Sequence, residues 1–390
     1  MKASTDKPSV VYVLPDKLGG VFSFVANLLA HRQPDPFEYR AVLTTNSMDG
    51  DSPAPDKLSA DSEARVRYAS PPENLYAYLR RLKRAIPDTG GILVCNDWVE
   101  LAMISAYPTR RSVVNITHAD ADYYYRLAQM HEPWIDCFVG LTDRIYGRLR
   151  ELLPHRHASI VKLPFGVAIP AARRLPAPGP LRILYVGRID QQKGVFDLPE
   201  IDRKLAEAGC PVEWTIQGGG PDEPELRRRW SSESSVDWRG ARALDQVLPL
   251  YLKHDVLVLP SRSEGLPVVL LEGGAAGVVP VASDLPSGVP EVIVPGVTGF
   301  RPAIGDISGF AEAILRLSAN RELLESMSEA VRDLVAAKFE AAARARDYQK
   351  LYSRWREIRC SPLSPRRVHF GSRLDKRWLP NSLVKSIRRS

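Results

Sequence analysis

Two glutamates in the second half of the chain lie eight positions apart in a largely apolar stretch. Glu264 follows the run VLVLPS in a loop with Gly265, and Glu272 interrupts the run LPVVLLEGG. A carboxylate is costly to bury in an apolar segment unless it has a partner. Because carboxylate oxygens accept hydrogen bonds from paired hydroxyls, both acids are candidates to hold a sugar or a ribose. The alternative is that Glu264 caps the next helix and Glu272 forms a salt bridge.

Two cations earlier in the chain could bind the phosphates of such a ligand. Arg188 and Lys193 lie in the segment VGRIDQQKG, where a strand is predicted to end and a helix to start at Lys193 and Gly194. A helix N-terminus offers backbone N–H groups and partial positive charge to an anion. Arginine can bind two oxygens at once, and lysine supplies a compact charge. The pair suits a diphosphate, but two solvated surface cations would look the same.

A triple glycine, 218–220, follows another predicted strand. Glycines there would let the backbone approach a ligand closely, or would form a turn before a helix that starts with proline. The stretch does not contain the Gly-x-Gly-x-x-Gly pattern of dinucleotide-binding folds.

The elements that position these residues are short apolar strands alternating with longer helical stretches. Such strands, covered by helices on both faces, predict parallel sheets of the doubly wound α/β class. Ligands of these sheets bind beyond the carboxyl ends of the strands. The predicted strands are residues 10–15, 39–45, 65–69, 91–97, 112–118, 137–143, 159–164, 182–188, 212–220, 236–240, 256–261 and 278–283.

A proline-rich stretch, PAARRLPAPGPLR at 170–182, divides the alternation into two halves. Proline and glycine at that density exclude a helix or an inner strand. The sequence therefore predicts an N-terminal domain at 1–170, a linker at 171–180, a C-terminal domain at 181–345, and a final helix with a basic tail at 346–390. A charged helix is predicted over 321–358.

Three segments occur in the order and spacing of a known family. VGRIDQQKG, EGLPVVLLEGGAAGVVPVASD and VPEVIVPGVTGF together resemble the C-terminal domain of family 4 retaining glycosyltransferases of the GT-B fold, from Leu181 to Leu317. The resemblance implies two Rossmann-like doubly wound domains that face a cleft. It also implies that the protein transfers a sugar from a nucleotide-diphosphate sugar to a hydroxyl of an acceptor.

The same resemblance assigns roles to individual residues of the second half. Glu264 is expected to contact the donor sugar, Glu272 the ribose hydroxyls, and Arg188 and Lys193 the diphosphate. The backbone of Gly265, Leu266 and Pro267 is expected to face the sugar and phosphates, although Pro267 has no N–H to donate. The segment VDWRG matches the loop beside the base, which makes Arg239 and Gly240 candidates.

The first half matches the family less closely. LGGVFSFVANLLAHR resembles its early glycine loop, so Gly19 and Gly20 are candidates for close approach to diphosphate and acceptor. His118, in VVNITHAD, stands where the family often has a histidine that contacts the donor sugar. By itself, a histidine after a strand is more often structural. The resemblance implies a catalytic set of His118, Arg188, Lys193 and Glu264.

The expected donor is a UDP- or GDP-sugar, used as a substrate, and no further cofactor or metal is expected. The Asp-x-Asp spelling at 120–122 follows His118 and is interpreted as coincidence. The expected acceptor is a glycan or a lipid-linked molecule in cell-surface polysaccharide or glycolipid synthesis. The resemblance also implies that the leaving phosphate takes the acceptor's proton, with retention of configuration at the sugar.

The net charge of +7 is concentrated at residues 359–390, with nine Lys/Arg and one acid. Such a tail is a solubilising segment, or it is attracted to an anionic membrane or to nucleic acid. Apolar residues among the basic ones favour an interfacial segment: Phe370, Leu374, Trp378, Leu379, Leu383, Val384 and Ile387. The expected location is the cytoplasm, peripherally on the inner face of the membrane. No aromatic-basic recognition motif supports nucleic acid as a partner.

Two alternatives remain open from the sequence. A nucleotide-sugar epimerase of GT-B architecture would share both domains but would need acid and base residues at the cleft. A non-catalytic protein that binds nucleotide sugar or nucleic acid would be expected to lose some of Arg188, Lys193, Glu264 and Glu272, and all four are present.

Overall fold

The structure is a computed structural model that describes residues 7–17, 19–45, 58–68, 73–230, 236–241, 244–360 and 371–388, without the side chains of 244–246. The predicted tail residues 361–370, which include Phe370, and 389–390 lie outside the described residues. The chain divides into two compact units. Unit 1 comprises Met1–Pro164 and Arg344–Ser390, and unit 2 is Phe165–Ala343. The domain boundaries at 170, 180 and 345 stay predictions.

Unit 1 contains a seven-stranded parallel sheet with strand order β3-β2-β1-β4-β5-β6-β7. Its apolar strands are buried on both faces, as expected for a sheet covered by helices. The strands are β1 (Ser9–Pro15), β2 (Glu38–Thr45), β3 (Ser62–Arg67), β4 (Gly91–Cys95), β5 (Ser112–Thr117), β6 (Cys137–Gly140) and β7 (Ile160–Lys162). The helices before the end of β7 are α1 (Gly20–Ala30), α2 (Leu75–Ala85), α3 (Trp98–Ala106), α4 (Asp122–His131) and α5 (Asp143–Leu152).

Unit 2 contains a five-stranded parallel sheet with strand order β10-β9-β8-β11-β12. The strands are β8 (Leu181–Val186), β9 (Val212–Gln217), β10 (Val236–Gly240), β11 (Val256–Leu259) and β12 (Val279–Ala282). The helices are α6 (Leu198–Glu207), α7 (Glu223–Arg229), α8 (Leu244–Tyr251), α9 (Val268–Ala275), α10 (Val289–Val292), α11 (Ile307–Ala319) and α12 (Arg321–Phe339). Helix α13 (Ala341–Ser353) runs into unit 1, where α14 (Asn381–Ile387) follows.

The predicted α/β class with parallel sheets is confirmed, and a strand is present at each of the predicted positions. In unit 2, helices α6 and α11 pack together on the sheet, and residues of β8, β9, β11 and β12 share one buried cluster with them. The continuous burial of the apolar runs is what fixes these strands in the middle of the fold.

The proline-rich segment 171–180 is held within unit 2 by a buried ion cluster. The Arg174 guanidinium is fully buried and lies 2.8 Å from the Asp255 carboxylate, which Arg182 also contacts at 2.8 Å. Burial alone would raise the pKa of Asp255, but the hydrogen bonds and charges of the two arginines hold it below its usual value. The segment thus has a fixed path over unit 2.

The prediction of one helix over 321–358 is wrong, because the chain breaks it at Glu340. This residue has extended backbone angles between α12 and α13. Its carboxylate accepts hydrogen bonds from the backbone N–H groups of Ala342 at 3.0 Å and Ala343 at 2.6 Å. Glu340 therefore caps the new helix instead of continuing the old one.

Candidate active site

The two sequence segments that carry Lys193 and Glu264 meet where the strand order of unit 2 reverses. Strands β8 and β11 are neighbours, and the chain proceeds outward from them in opposite directions. The loop after β8 carries Lys193, and the loop after β11 carries Glu264. Such a reversal leaves a crevice beyond the carboxyl ends of the two strands, which is where ligands of doubly wound sheets bind.

Lys193 and Glu264 form an ion pair in this crevice. The Lys193 Nζ lies 2.6 Å from Glu264 Oε1, and the Ser261 hydroxyl donates to the same carboxylate oxygen at 2.7 Å. The Lys193 side chain is 26% exposed and that of Glu264 is 9% exposed. The acid is thus oriented by two donors, and the cation remains accessible to an anion from solvent.

Close backbone packing joins the two loops. Gly194 has a φ of +66°, and a Cβ built on it would lie 1.9 Å from the Pro260 carbonyl oxygen. The Arg262 backbone N–H also donates to the Gln192 carbonyl at 2.9 Å. Only glycine fits this approach, so Gly194 sets the position of Lys193 relative to Glu264.

A half-buried ion pair adds a second link between the same loops. Arg262 Nη2 donates to Asp197 Oδ1 at 2.7 Å. Burial raises the pKa of the Asp197 carboxyl, and the arginine opposes that rise. Both residues stand beside the predicted ligand residues in the sequence, but 65 positions separate them, so the sequence pattern gave no signal of their contact.

The prediction of a helix start at Lys193 and Gly194 is wrong. Residues Gln191–Lys193 and Val195–Asp197 form short 3-10 turns, and helix α6 begins only at Leu198. The left-handed conformation of Gly194 interrupts the helical path, because the chain must turn there to pack on Pro260. The 3-10 turn Gln191–Lys193 is capped by Asp190, whose carboxylate accepts a hydrogen bond from the Lys193 backbone N–H at 3.1 Å.

Arg188 lies at the same strand end but is more exposed. Its guanidinium pairs with Asp190, and 66% of its side chain is accessible to solvent. The Arg188 carbonyl accepts a hydrogen bond from the buried Tyr185 hydroxyl at 2.7 Å. The hydrogen bond from Tyr185 therefore fixes the backbone of Arg188, while its exposed guanidinium can exchange Asp190 for another anion.

Glu272 lies in α9, with its carboxylate bonded to a tyrosine. The Tyr251 hydroxyl donates to Glu272 Oε2 at 3.0 Å. Burial raises the pKa of Glu272 from 4.5 to about 7, against the lowering effect of that hydrogen bond. Among the described residues no cation lies within ion-pair distance, so the salt-bridge alternative for Glu272 is wrong. The carboxyl group retains acceptor capacity for a hydroxyl pair.

The residues between the two glutamates turn the chain from loop to helix. Pro267 is the residue directly before α9, and no side chain caps the N-terminus of this helix with a hydrogen bond. A Cβ built on Gly288 would lie 1.9 Å from the Gly265 carbonyl oxygen. The turn at Gly288, which precedes α10, is thus packed directly on Gly265. Leu266, the residue after Gly265, is buried.

The triple glycine 218–220 lets the loop after β9 pack closely on the loop after β8. Cβ atoms built on Gly218 and Gly220 would lie 1.8 Å and 2.2 Å from the carbonyl oxygens of Gly187 and Ile189. These glycines bring the ends of β8 and β9 together, which explains them without a ligand.

Arg239 and Gly240 end the outer strand β10 at the same edge of the sheet. Gly240 has a φ of +68°, and its carbonyl accepts from the Gly218 backbone N–H at 3.1 Å and from Gln217 Nε2 at 2.6 Å. The exposed Arg239 Nε donates to Asp237 at 2.5 Å. Gly240 is thereby tied through Gly218 to the loop of Arg188.

Gly19 and Gly20 of unit 1 lie at the corresponding reversal point of the larger sheet, after β1 and beside β4. Gly19 precedes α1 and Gly20 is its first residue. Among the described residues, no atom beyond the chain neighbours lies within 4 Å of a Cβ built on Gly19. The first turn of α1 contains no acid.

His118 follows β5 and is bonded to a residue that the sequence analysis missed. His118 Nε2 lies 2.8 Å from Asn96 Oδ1, while Asn96 Nδ2 donates to the Val13 carbonyl at 2.7 Å. The second bond fixes the amide orientation, so Nε2 carries the imidazole proton and Nδ1 is the acceptor nitrogen. Burial lowers the pKa of His118 to about 3, which makes the ring neutral.

Asn96 could have been identified as a site candidate from its position in GILVCND, because it follows β4 at the point where the strand order of the larger sheet reverses. The following Asp97 and Glu100 form a capping box that starts α3. Burial and the charge of Asp97 raise the pKa of Glu100 to about 8. Asp97 also accepts from the Tyr123 hydroxyl at 2.6 Å, which links this strand end to α4.

The aspartates of the Asp-x-Asp sequence have separate partners. Asp120 accepts from the Tyr125 hydroxyl at 2.5 Å, and Asp122 lies 3.8 Å from Arg126. Within the described parts of the chain, no group of three or more His, Cys, Asp or Glu side chains is arranged to hold a metal ion.

Comparison with known proteins gives one family match. Residues 180–320 match the family model described as glycosyl transferases group 1. The chain is 29% identical over 220 residues to a protein named for colanic acid biosynthesis, the glycosyltransferase WcaL of Salmonella typhimurium, covering 53% of this chain and 54% of that protein. It is 33% identical over 169 residues to the amylovoran biosynthesis glycosyltransferase AmsK of Erwinia amylovora, covering 41% of each.

A solved structure resembles the whole fold. The Anabaena protein HepE, crystallised with UDP and glucose, superposes with a TM-score of 0.70 over 89% of this chain and 99% of that one, at 14% identity. At this identity the likeness shows the fold, which is GT-B as predicted. The aligned segments span about half the length of the first curated relatives.

Proposed function

We propose that this protein is a retaining, metal-independent glycosyltransferase, because residues 180–320 match the family model of group 1 glycosyl transferases. Its donor is a nucleotide-diphosphate sugar, with UDP- or GDP-sugar favoured. Its acceptor is a hydroxyl of a glycan or a lipid-linked molecule. The names of WcaL and AmsK, which refer to colanic acid and amylovoran, support a role in cell-surface polysaccharide synthesis. The proposed location is the cytoplasm, on the inner face of the membrane.

The observation that carries this proposal is the ion pair of Lys193 and Glu264 at the reversal point of the second sheet. A ligand with both an anionic part and neighbouring hydroxyls matches a cation and an oriented carboxylate side by side. A nucleotide-diphosphate sugar has both parts in one molecule. A nucleotide without the sugar would leave the carboxylate unused.

The proposed division of work follows from charge and exposure. Arg188 and Lys193 bind the diphosphate and stabilise the negative charge that develops as the sugar–phosphate bond breaks. Glu264 accepts hydrogen bonds from the sugar, and Glu272 from the two ribose hydroxyls. In the proposed retaining step, the bond between the anomeric carbon and the phosphate oxygen breaks, and that oxygen accepts the proton of the acceptor hydroxyl. The acceptor oxygen bonds to the anomeric carbon on the face from which the phosphate leaves.

His118 is proposed to contact the donor sugar as a neutral ring. Its lowered pKa makes it a poor acid near neutrality. An imidazole with a proton fixed on Nε2 can accept a hydrogen bond from a sugar hydroxyl at Nδ1. Its proposed role is therefore to orient the sugar and not to transfer a proton.

A thermal-shift screen with UDP, GDP, ADP, TDP and CMP, and then with their sugars, tests the proposal. A ligand at 100 times its dissociation constant adds about 2.7 kcal/mol of stability. We expect a shift with one nucleoside diphosphate that EDTA leaves unchanged, followed by transfer of a labelled sugar to an acceptor. No shift with any of them would contradict the proposed donor. Conversion of the sugar without an acceptor, seen by NMR, would favour an epimerase.

A further inference from the structure

Residues 371–388 pack on the N-terminal end of helix α2 in unit 1. The Asn74 backbone N–H donates to Asn381 Oδ1 at 2.9 Å. The Asn74 side-chain amide donates to the carbonyls of Lys376 and Leu379, both at 2.8 Å. Each of these bonds joins positions more than 300 residues apart. The segment therefore has a defined place and orientation on the unit.

The acidic residue of this segment is buried and bonded. Asp375 is 3% exposed, and its carboxylate accepts from the Leu75 backbone N–H at 2.7 Å and from Arg388 at 2.8 Å. Arg388 also donates to the Glu73 carbonyl at 2.6 Å. The carboxylate of Asp375, the acid of residues 371–388, is thus bonded on the side that faces unit 1 and does not face solvent.

Positive charge remains on the outer side. Arg373 and Arg377 are exposed, and Lys376 and Lys385 are half-buried. The Arg377 guanidinium lies 5.0 Å from the centre of the Tyr107 ring, which orients it without neutralising it. Because Asp375 is buried, the charge that the described segment presents to solvent is positive.

Large apolar side chains are exposed among these cations. Trp378 is 77% exposed, Leu383 is 47% exposed and Ile387 is 45% exposed. Leu383 and Ile387 lie one turn apart on α14, whereas Val384 on the same helix is fully buried. The helix thus faces unit 1 with Val384 and presents a second apolar side outward.

We propose that Trp378, Leu383 and Ile387, together with Arg373 and Lys385, form a docking surface for an anionic phospholipid bilayer. A bilayer interface accepts aromatic and aliphatic side chains at the acyl boundary and attracts the cations to its headgroups. Nucleic acid would satisfy the cations but leave Leu383 and Ile387 exposed to water. The surface would bring the enzyme to a lipid-linked acceptor, and in that respect it rests on the proposed function.

Cosedimentation of the full chain with vesicles tests this surface. Vesicles of phosphatidylcholine with about one third phosphatidylglycerol are compared with pure phosphatidylcholine, at low and high salt. We expect binding to the anionic vesicles only, decreasing as salt rises. Both Arg373→Glu/Lys385→Glu and Trp378→Ser/Leu383→Ser should reduce the partition coefficient by about tenfold or more.

The control variant is Lys253→Glu/Lys338→Glu, which changes the net charge by the same amount at two exposed positions. We expect it to bind anionic vesicles as the parent does. An equal loss in the control, equal binding to uncharged vesicles, or no effect of either surface variant would each overturn the proposal. So would binding to duplex DNA with no binding to vesicles.

The nucleotide thermal-shift screen on the same preparations separates the two proposals. A surface variant that keeps its thermal midpoint and its nucleotide shift but loses the vesicles has lost only the docking surface. Vesicle binding without any nucleotide shift would leave the docking surface supported and contradict the proposed donor.

Discussion

The ammonium of Lys193 lies 2.6 Å from a carboxylate oxygen of Glu264, although 71 residues separate them in the chain. The contact places a cation and a hydroxyl acceptor at one point of the sheet edge. It also means that a phosphate must compete with Glu264 for Lys193. The balance between phosphate and Glu264 as partners of Lys193 governs the first expectation.

Lys193→Ala should weaken nucleoside diphosphate binding by about ten- to a hundredfold and lower transfer by about 10²-fold or more, because it removes a charge-assisted donor. The cost to stability should be about 1 kcal/mol or less, since the pair is partly solvated. Calorimetric titration and urea unfolding measure the two effects. Lys253→Ala, at an exposed lysine, is the control. Unchanged affinity in Lys193→Ala would remove this residue from the site.

Arg188→Ala should lose diphosphate affinity with no loss of stability beyond about 0.5 kcal/mol, because its side chain is 66% exposed. Arg203→Ala is a matched control, since Arg203 is an exposed arginine paired with acids on α6. We expect the two variants to unfold alike in urea. Only Arg188→Ala should change the titration with nucleotide, and equal affinities would contradict the assignment.

Gly194→Ala should destabilise unit 2 more than Gly209→Ala. Both glycines are left-handed, with φ of +66° and +67°, so each alanine costs about 1 kcal/mol of backbone strain. Of the two, only Gly194 would bring the new Cβ against a carbonyl oxygen, at 1.9 Å, while no described atom lies within 4 Å at Gly209. We expect a further loss of about 2 kcal/mol or more in urea unfolding, together with weaker nucleotide binding. Equal losses would show that the loops can separate freely.

Glu272→Gln should stabilise the protein at alkaline pH relative to acid pH. Folding raises the pKa of Glu272 from 4.5 to about 7, so the unfolded chain gives up this proton at a lower pH than the folded one. The destabilisation is absent below about pH 4.5, grows as the pH rises, and is complete above about pH 7, with an upper bound of about 3 kcal/mol. Glutamine has no such dependence. Thermal midpoints near pH 5 and pH 8 measure the difference, and the exposed Glu312→Gln is the control.

Asn96→Asp should raise the pKa of His118 from about 3. A carboxylate 2.8 Å from Nε2 would stabilise the protonated ring and raise the pKa by about one to three units. NMR titration of the imidazole signals measures this shift, with the remaining histidines as internal controls. An unmoved His118 signal would mean that Asn96 does not contact the ring in solution.

The strands and the parallel sheets could be predicted because continuous apolar runs determine burial locally. Val256–Leu259 is an example, since four apolar residues between a charged and a proline-containing segment make a short inner strand. The candidates Arg188, Lys193, Glu264 and Glu272 were found from residue type and from family resemblance. Their roles stay predictions.

The direct contact of Lys193 with Glu264 could not be predicted, because it depends on which strands become neighbours. The same holds for Asn96 with His118 and Arg262 with Asp197. The helix break at Glu340 was missed for a different reason, because it depends on contacts distant in sequence. The Val167 backbone N–H donates to the Phe339 carbonyl at 2.8 Å, and the Ala341 N–H donates to the Val167 carbonyl at 3.0 Å. Tertiary contacts therefore decide both the site and the break.

The hydrogen bonds of Asn74 to residues 376–381 have a consequence for how the chain is made. A ribosome releases α2 long before residues 376–381, so water must occupy these positions on Asn74 until the C-terminal segment is made. Unit 2 is continuous from Phe165 to Ala343 and has all its strands available earlier. Unit 1 therefore starts first on the ribosome but is the last of the two to have all its residues synthesised.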